Sequence, residues 1–110
     1  MKIRLLIKAL NEKELEPPVV FDFGEYRLVL YPGTIAEVLQ RTVVVRENGE
    51  KVETYMPLSI IATWRWLYKD ELSKRYIGYI VFLHGKPKRL LNLMRAIAKA
   101  PETPERVMAV

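Results

Sequence analysis

Residues 19–31 read VVFDFGEYRLVLY, and this stretch decides the fold class that the sequence predicts. Two runs of β-branched and aromatic residues, 19–23 and 26–31, flank Gly24-Glu25, and glycine at the first central position suits a type II′ hairpin turn. Three favourable cross-strand pairs would follow: Phe23 with Tyr26, Asp22 with Arg27, and Phe21 with Leu28. We therefore expect an antiparallel hairpin, which Pro32-Gly33 ends with a turn.

A second hairpin is predicted over residues 41–47 and 50–55, because Asn48-Gly49 between them is a strong hairpin-turn signal. A two-residue turn would place Glu47 opposite Glu50 and Arg46 opposite Lys51. Such like-charge pairs are tolerated only in water. The tip of this hairpin should therefore project into solvent.

Two segments could form either a helix or a strand. In 34–40, Thr34 and Glu37 form a capping box, so we predict a short helix, although the flanking residues favour extended chain. Residues 59–68 contain strand-forming residues, but Ile61, Trp64 and Tyr68 also fit a helical stripe. We favour a strand for the second segment.

The remaining segments complete the predicted fold. Residues 2–10 alternate as a half-buried strand, 11–18 form a loop, and the apolar run 75–83 suits a central strand covered on both sides. Pro87 and the apolar stripe Leu90, Leu93, Met94 and Ile97 predict an amphipathic helix over 86–99.

We thus expect an α+β fold: a mainly antiparallel sheet or partly open barrel of about six to seven strands, with the C-terminal helix packed on it. Residues 1–100 should form a single globular domain and 101–110 a C-terminal tail. The residues carry no motif of a known family.

Composition excludes several functional classes. The chain of 110 residues has no cysteine, which removes disulfides, thiolate nucleophiles and cysteine zinc sites. The longest mainly apolar run without a charge, 76–83, is far shorter than the roughly 18 residues of a membrane helix. Since no signal peptide is evident either, we expect a cytoplasmic protein with no membrane partner. The chain has few Asn and Gln and many charged residues, a composition that is typical of proteins from thermophiles.

Positive charge is concentrated late in the chain. Residues 63–99 hold nine Lys or Arg against two acids, a net charge of +7, together with six of the 11 aromatic residues. Cations that follow phosphates and rings that stack on bases are what single-stranded nucleic acid needs. The predicted nucleic-acid-binding residues are Trp64, Arg65, Trp66, Tyr68, Lys69, Lys74, Arg75, Lys86, Lys88 and Arg89.

Each part of this prediction has an alternative. On a strand, Trp64, Trp66 and Tyr68 share one face while Arg65 and Lys69 share the other, so the rings could be core and the charges a solvated rim. The cations of 84–89 repel the positive end of the helix dipole, which a bound anion would relieve, but an exposed basic turn screened by salt is the simpler reading.

Other functions have weaker support. His84, Ser59 and Asp22 could be drawn as a catalytic set, but no spacing supports it, and we predict no enzyme activity, cofactor or metal. A protein-interaction module, either an oligomerising subunit such as a homodimer or an inhibitory subunit, is the main alternative to nucleic-acid binding. It would use exposed aromatics such as Trp66 and the apolar tail end, 107–110.

Overall fold

The computed structural model describes residues 1–100 and 107–109. They form eight strands and one α-helix, with a 3₁₀ turn at Glu12–Leu15 in the predicted loop. The elements are β1 (Lys2–Lys8), β2 (Val19–Phe23), β3 (Tyr26–Leu30), β4 (Ile35–Val45), β5 (Lys51–Pro57), β6 (Ile61–Asp70), β7 (Arg75–His84), α1 (Pro87–Lys99) and β8 (Val107–Ala109).

All strands belong to one antiparallel sheet in the order β2-β3-β4-β6-β7-β1-β8, and β5 pairs with β4 off this path. The sheet curls as an open half-barrel. The predicted α+β class, antiparallel sheet and C-terminal helix are confirmed. β8 pairs with β1, with Leu5 opposite Ala109, so part of the predicted tail joins this sheet.

The first hairpin has the predicted register. β2 and β3 pair Phe23 with Tyr26 and Asp22 with Arg27, and Gly24 in the turn has a φ of 77°. Asp22 accepts hydrogen bonds from the backbone N–H of Gly24 and from the guanidinium of Arg27, both at 3.1 Å. The strands are thus joined by the turn that the sequence predicts.

The short helix predicted over 34–40 is wrong, because these residues begin the 11-residue strand β4. Thr34 has a φ of 67°, which is incompatible with the extended backbone of an N-cap residue. Ala36 and Val38 are buried while Ile35 is exposed, which is the alternation of a strand. Pairing with β3 and β6 on its two sides overrides the local capping signal.

The second hairpin, formed by β4 and β5, is offset by one residue from the prediction. Val45 lies opposite Lys51, and the backbone N–H of Arg46 donates to the carbonyl of Glu50 at 2.8 Å. Gly49, with a φ of 82°, makes a three-residue loop possible. The predicted like-charge pairs are therefore replaced by a pair of opposite charge, with Arg46 and Glu50 3.6 Å apart. The tip is exposed, as predicted.

The hairpin beyond the main sheet is called the arm here, and comprises residues 41–55. At its base, the guanidinium of Arg27 lies 3.7 Å from the centre of the Tyr55 ring. This contact joins β5 to β3 through side chains, although the two strands are not hydrogen-bonded neighbours.

The other two long strands are confirmed. β6 is a strand rather than a helix, and β7 lies in the middle of the sheet, between β6 and β1. Residues 78–81 of β7 are buried, but Phe82 is 37% exposed, so the predicted cover on both sides of this strand is incomplete.

The core lies between α1 and one face of the sheet. Leu90, Leu93 and Ile97 of the helix are buried in the same cluster as Leu5 and Val107. The helix therefore packs its apolar stripe on the sheet as predicted, and the burial of Val107 adds β8 to this core. Within the described ranges, no helix has the length and apolarity needed to cross a membrane.

Gly78 of β7 generates a prediction about stability. A Cβ at this position would overlap the carbonyl oxygen of Ile7 and lie 2.9 Å from Cα of Lys8, so Gly78→Ala forces β7 away from β1. We expect the free energy of unfolding to fall by about 3 kcal/mol in urea denaturation, as for an overpacked core. In Gly85→Ala, the added Cβ meets its nearest atoms at 3.4 Å, and the expected change is within about 0.5 kcal/mol. If the two variants unfolded at the same urea concentration, this account would be contradicted.

Candidate functional site

The central strands have two chemically different faces. The inner face, toward α1, includes Ala62, Trp64 and Val81, which are buried. The outer face carries the alternate residues, such as Thr63 and Arg65, which are exposed. Because side chains alternate along a strand, a residue on one face cannot share a ligand contact with its sequence neighbour on the other.

Aromatic rings form a continuous cluster on the inner face. Trp66 is its centre: its ring lies 5.0 Å from that of Trp64, 5.5 Å from Tyr79 and 4.4 Å from Tyr76. Tyr68 extends the cluster toward the β6–β7 turn, 4.9 Å from Tyr76. Exposure increases along this direction, from Tyr79, which is fully buried, to Tyr76. The cluster is thus mainly an extension of the core.

The three aromatic side chains predicted to stack on bases are buried to different degrees. Trp64 is only 4% exposed, and its indole N–H donates to the carbonyl of Tyr31 at 2.7 Å. Trp66 and Tyr68 are half-buried. A hydrogen bond with Tyr76, with a smaller effect of burial, raises the pKa of Tyr68 above its ordinary value. Trp64 has no open face for a ligand in this structure.

The predicted basic residues fall into two groups and one isolated side chain. Lys69, Lys74 and Arg75 flank the β6–β7 turn, where the ammonium of Lys74 lies 5.1 Å from the Tyr68 ring. The second group, at the start of α1, comprises Lys86, Lys88 and Arg89. The ten-residue strand β7 separates the groups by about 30 Å, at about 3.3 Å per residue. Arg65 alone lies on the outer face between them.

The outer face of β1, β7 and β6 brings together residues that are distant in sequence. Arg4, Phe82 and Thr63 lie side by side on the three strands, and the next row contains Lys2, His84 and Ile61. The shallow groove that these two rows form has a volume of about 490 Å³. We call this surface the outer groove; Lys2, Ile3, Arg4, Ile61, Thr63, Phe82, Leu83 and His84 line it.

Positive charge dominates this part of the sheet. β1, β6 and β7 together contain six Lys or Arg and a single acid, Asp70, which lies at the β6–β7 turn. The guanidinium of Arg65 lies 5.6 Å from the centre of the Phe82 ring. Glu37, on β4, already accepts a hydrogen bond from the hydroxyl of Tyr31 at 3.2 Å. The outer groove is therefore an exposed surface of cations around an aromatic ring.

Sequence reasoning missed the β1 contribution to this surface. The alternation of residues 2–10 places Lys2, Arg4 and Lys8 on one face of their strand, but the sequence does not show which strand lies next to them. Antiparallel pairing of the first strand with the seventh brings Arg4 beside Phe82. The alternation along residues 2–10 is a local signal, whereas the site depends on the contact between Arg4 and Phe82, which are 78 positions apart.

The hypothetical catalytic set is not brought together. Asp22 lies on the edge strand β2 and His84 on β7, and four inter-strand steps of about 4.8 Å separate these strands. Asp22 is also paired with Arg27. Among the side chains that the structure describes, no group of three His, Asp or Glu residues could hold a metal ion.

The different burial of the two indoles can be measured. The variant Trp66→Phe retains only the buried Trp64, and Trp64→Phe retains only the half-buried Trp66. We expect acrylamide to quench tryptophan fluorescence several-fold more steeply in Trp64→Phe, because collisional quenching requires access to the ring. Equal quenching in two folded variants would show that Trp64 is as accessible as Trp66.

Comparisons with known proteins offer no assignment for this surface. No protein-family model matches the chain, and no significant match is found among curated proteins or solved structures.

Proposed function

We propose that this protein is a non-enzymatic module that binds single-stranded or structured nucleic acid through the outer groove. The observation that carries the proposal is the exposed ring of Phe82, which has Arg4 on the neighbouring strand and the guanidinium of Arg65 at 5.6 Å. Cations and an accessible ring on one open sheet face are the two elements that single-strand binding needs.

The groove has a distinct role for each kind of side chain. Lys2 and Arg4 in the groove, and Lys8 and Arg65 beyond it on the same outer face, would contact phosphates. Long basic side chains on a solvent-exposed face can reach an extended backbone. Phe82 would stack on a base. The exposed side chain of Ile61 offers an additional apolar contact to a base or sugar.

The cations at the start of α1 follow the last row of the outer groove closely in the chain. β7 ends at His84, in the last row of the groove, and Lys86, Lys88 and Arg89 follow within five residues. The first turn of α1 contains no acidic residue. A phosphate backbone that leaves the groove at this end would therefore meet further positive charge.

The alternative, a protein-interaction module that uses exposed aromatics and the apolar tail, has less support. Trp64 is buried, and Trp66 packs against three other rings. Val107 is buried in the core, and residues 107–109 pair with β1 of the same chain. These groups already have partners within the monomer.

Fluorescence anisotropy with labelled single-stranded oligonucleotides tests the proposal. We expect binding at about 50 mM salt that weakens as salt rises. The double variant Arg4→Gln, Arg65→Gln should lower the affinity and reduce the slope of log K against log salt by about 1.4, which is about 0.7 for each lost phosphate contact. Absence of binding to DNA and RNA oligonucleotides at low salt would contradict the proposal.

Two further variants separate stacking from charge. Phe82→Leu should lower affinity about fivefold or more with little change in the salt slope, because it removes a stacking ring and no charge. Arg95→Gln removes an exposed cation from α1, which covers the other face of the sheet, and should have a much smaller effect. If Arg95→Gln weakened binding as much as Arg65→Gln, the outer groove would not be the binding surface.

A further inference from the structure

The arm leaves the body of the protein as a two-stranded ribbon. The molecule measures 58 × 30 × 27 Å, and within residues 1–100 and 107–109 the only strand paired with β5 is β4. Val43, Val44 and Val45 are 46–61% exposed although they lie in a strand. Two-stranded ribbons are marginally stable in water, so this arm exposes apolar residues without the usual cover of a sheet.

The free edge of β5 presents a defined set of backbone groups. The bond from Arg46 N–H to the Glu50 carbonyl fixes which pairs across the arm are hydrogen-bonded: in alternation, these include Val44 with Val52 and Thr42 with Thr54. The backbone N–H and C=O groups of the intervening residues, Lys51, Glu53 and Tyr55, therefore point away from β4. An edge of this kind is a template for another strand.

The charge of the arm does not suit nucleic acid. Residues 41–55 contain three Lys or Arg and three Glu, so their net charge is zero. The charges that lie on the free strand alternate in sign, with Lys51 and Glu53 on the same face and the uncharged Val52 on the opposite face. This pattern is complementary to itself when a second copy is placed antiparallel.

Three antiparallel registers of β5 against a second β5 can be compared. Centring on Glu53 places two like charges directly opposite each other, which is unfavourable. Centring on Thr54 places Lys51 opposite Pro57, which has no N–H to donate. Centring on Val52 places Lys51 of each copy opposite Glu53 of the other and gives two pairs of opposite charge.

The Val52-centred register also joins apolar residues of the two arms. Val44 lies opposite Val52 within one arm, so the central row across four strands would read Val44, Val52, Val52, Val44. On the other face, Val43 neighbours Glu53 and Val45 neighbours Lys51, so valines flank both new ion pairs. The exposed valines would thus become part of a four-stranded sheet.

We propose that two copies of this chain associate through their arms, with β5 paired antiparallel to β5 about a two-fold axis at Val52. The paired residues are Lys51 with Glu53 of the second copy, in both directions. This contact is separate from the outer groove and does not depend on the function proposed for that surface.

Sedimentation velocity over a concentration series tests the inference. The protein should show a reversible monomer–dimer equilibrium. Lys51→Glu and Glu53→Lys should each raise the dimer dissociation constant at least about tenfold, because each replaces two attractive pairs with two repulsive ones. The double variant Lys51→Glu, Glu53→Lys restores opposite charges and should return the dissociation constant toward that of the original protein.

The controls separate this contact from folding and from general charge effects. Within one arm, Lys51 and Glu53 lie opposite Val45 and Val43, so neither substitution breaks an ion pair across the arm, and circular dichroism should be unchanged. Glu25→Lys makes the same charge change as Glu53→Lys, but in the exposed β2–β3 turn, and should leave the dimer intact. A strictly monomeric protein at millimolar concentration would overturn the inference. So would a double variant whose dimer dissociation constant is as high as those of the single variants.

Discussion

The close approach of β7 to β1 is the constraint on which the rest of the structure depends. At Gly78 the backbone of β7 lies so near Ile7 that no side chain fits between them. This contact places the first strand of the chain in the sheet next to the seventh. It thereby completes the inner face that packs against α1, and it also brings β1 alongside Phe82 on the outer face.

Local signals in the sequence predicted local structure well. The β2–β3 register follows from a glycine turn and three side-chain pairs, all within a few residues of each other. The strand in 59–68 follows from its strand-forming residue types, and the helix at 86–99 follows from periodicity and from Pro87. In 34–40 the capping box predicted a helix, but these residues pair with strands on both sides and are extended. The sequence does not show this pairing.

The candidate site was less accessible to sequence reasoning, and for a physical reason. Summed charge along residues 63–99 treats them as one surface, but Trp64 and Arg65 lie on opposite faces of β6, and the ten-residue strand β7 separates the β6–β7 turn from Lys86. Of the predicted binding residues, Arg65 lies near Phe82 on the outer face, and the cation directly beside Phe82, Arg4, comes from β1. Strand order decides which residues share a surface, and periodicity does not contain that information.

The contact between Arg27 and Tyr55 has a consequence for the arm. Arg27 is held on one side by the carboxylate of Asp22, at 3.1 Å, and covers the Tyr55 ring on the other. A ribbon anchored in this way has a preferred direction relative to the body before it meets any other molecule. Less orientational freedom is then lost on association, so preorganisation at the base lowers the entropic cost of a contact made along the exposed strand.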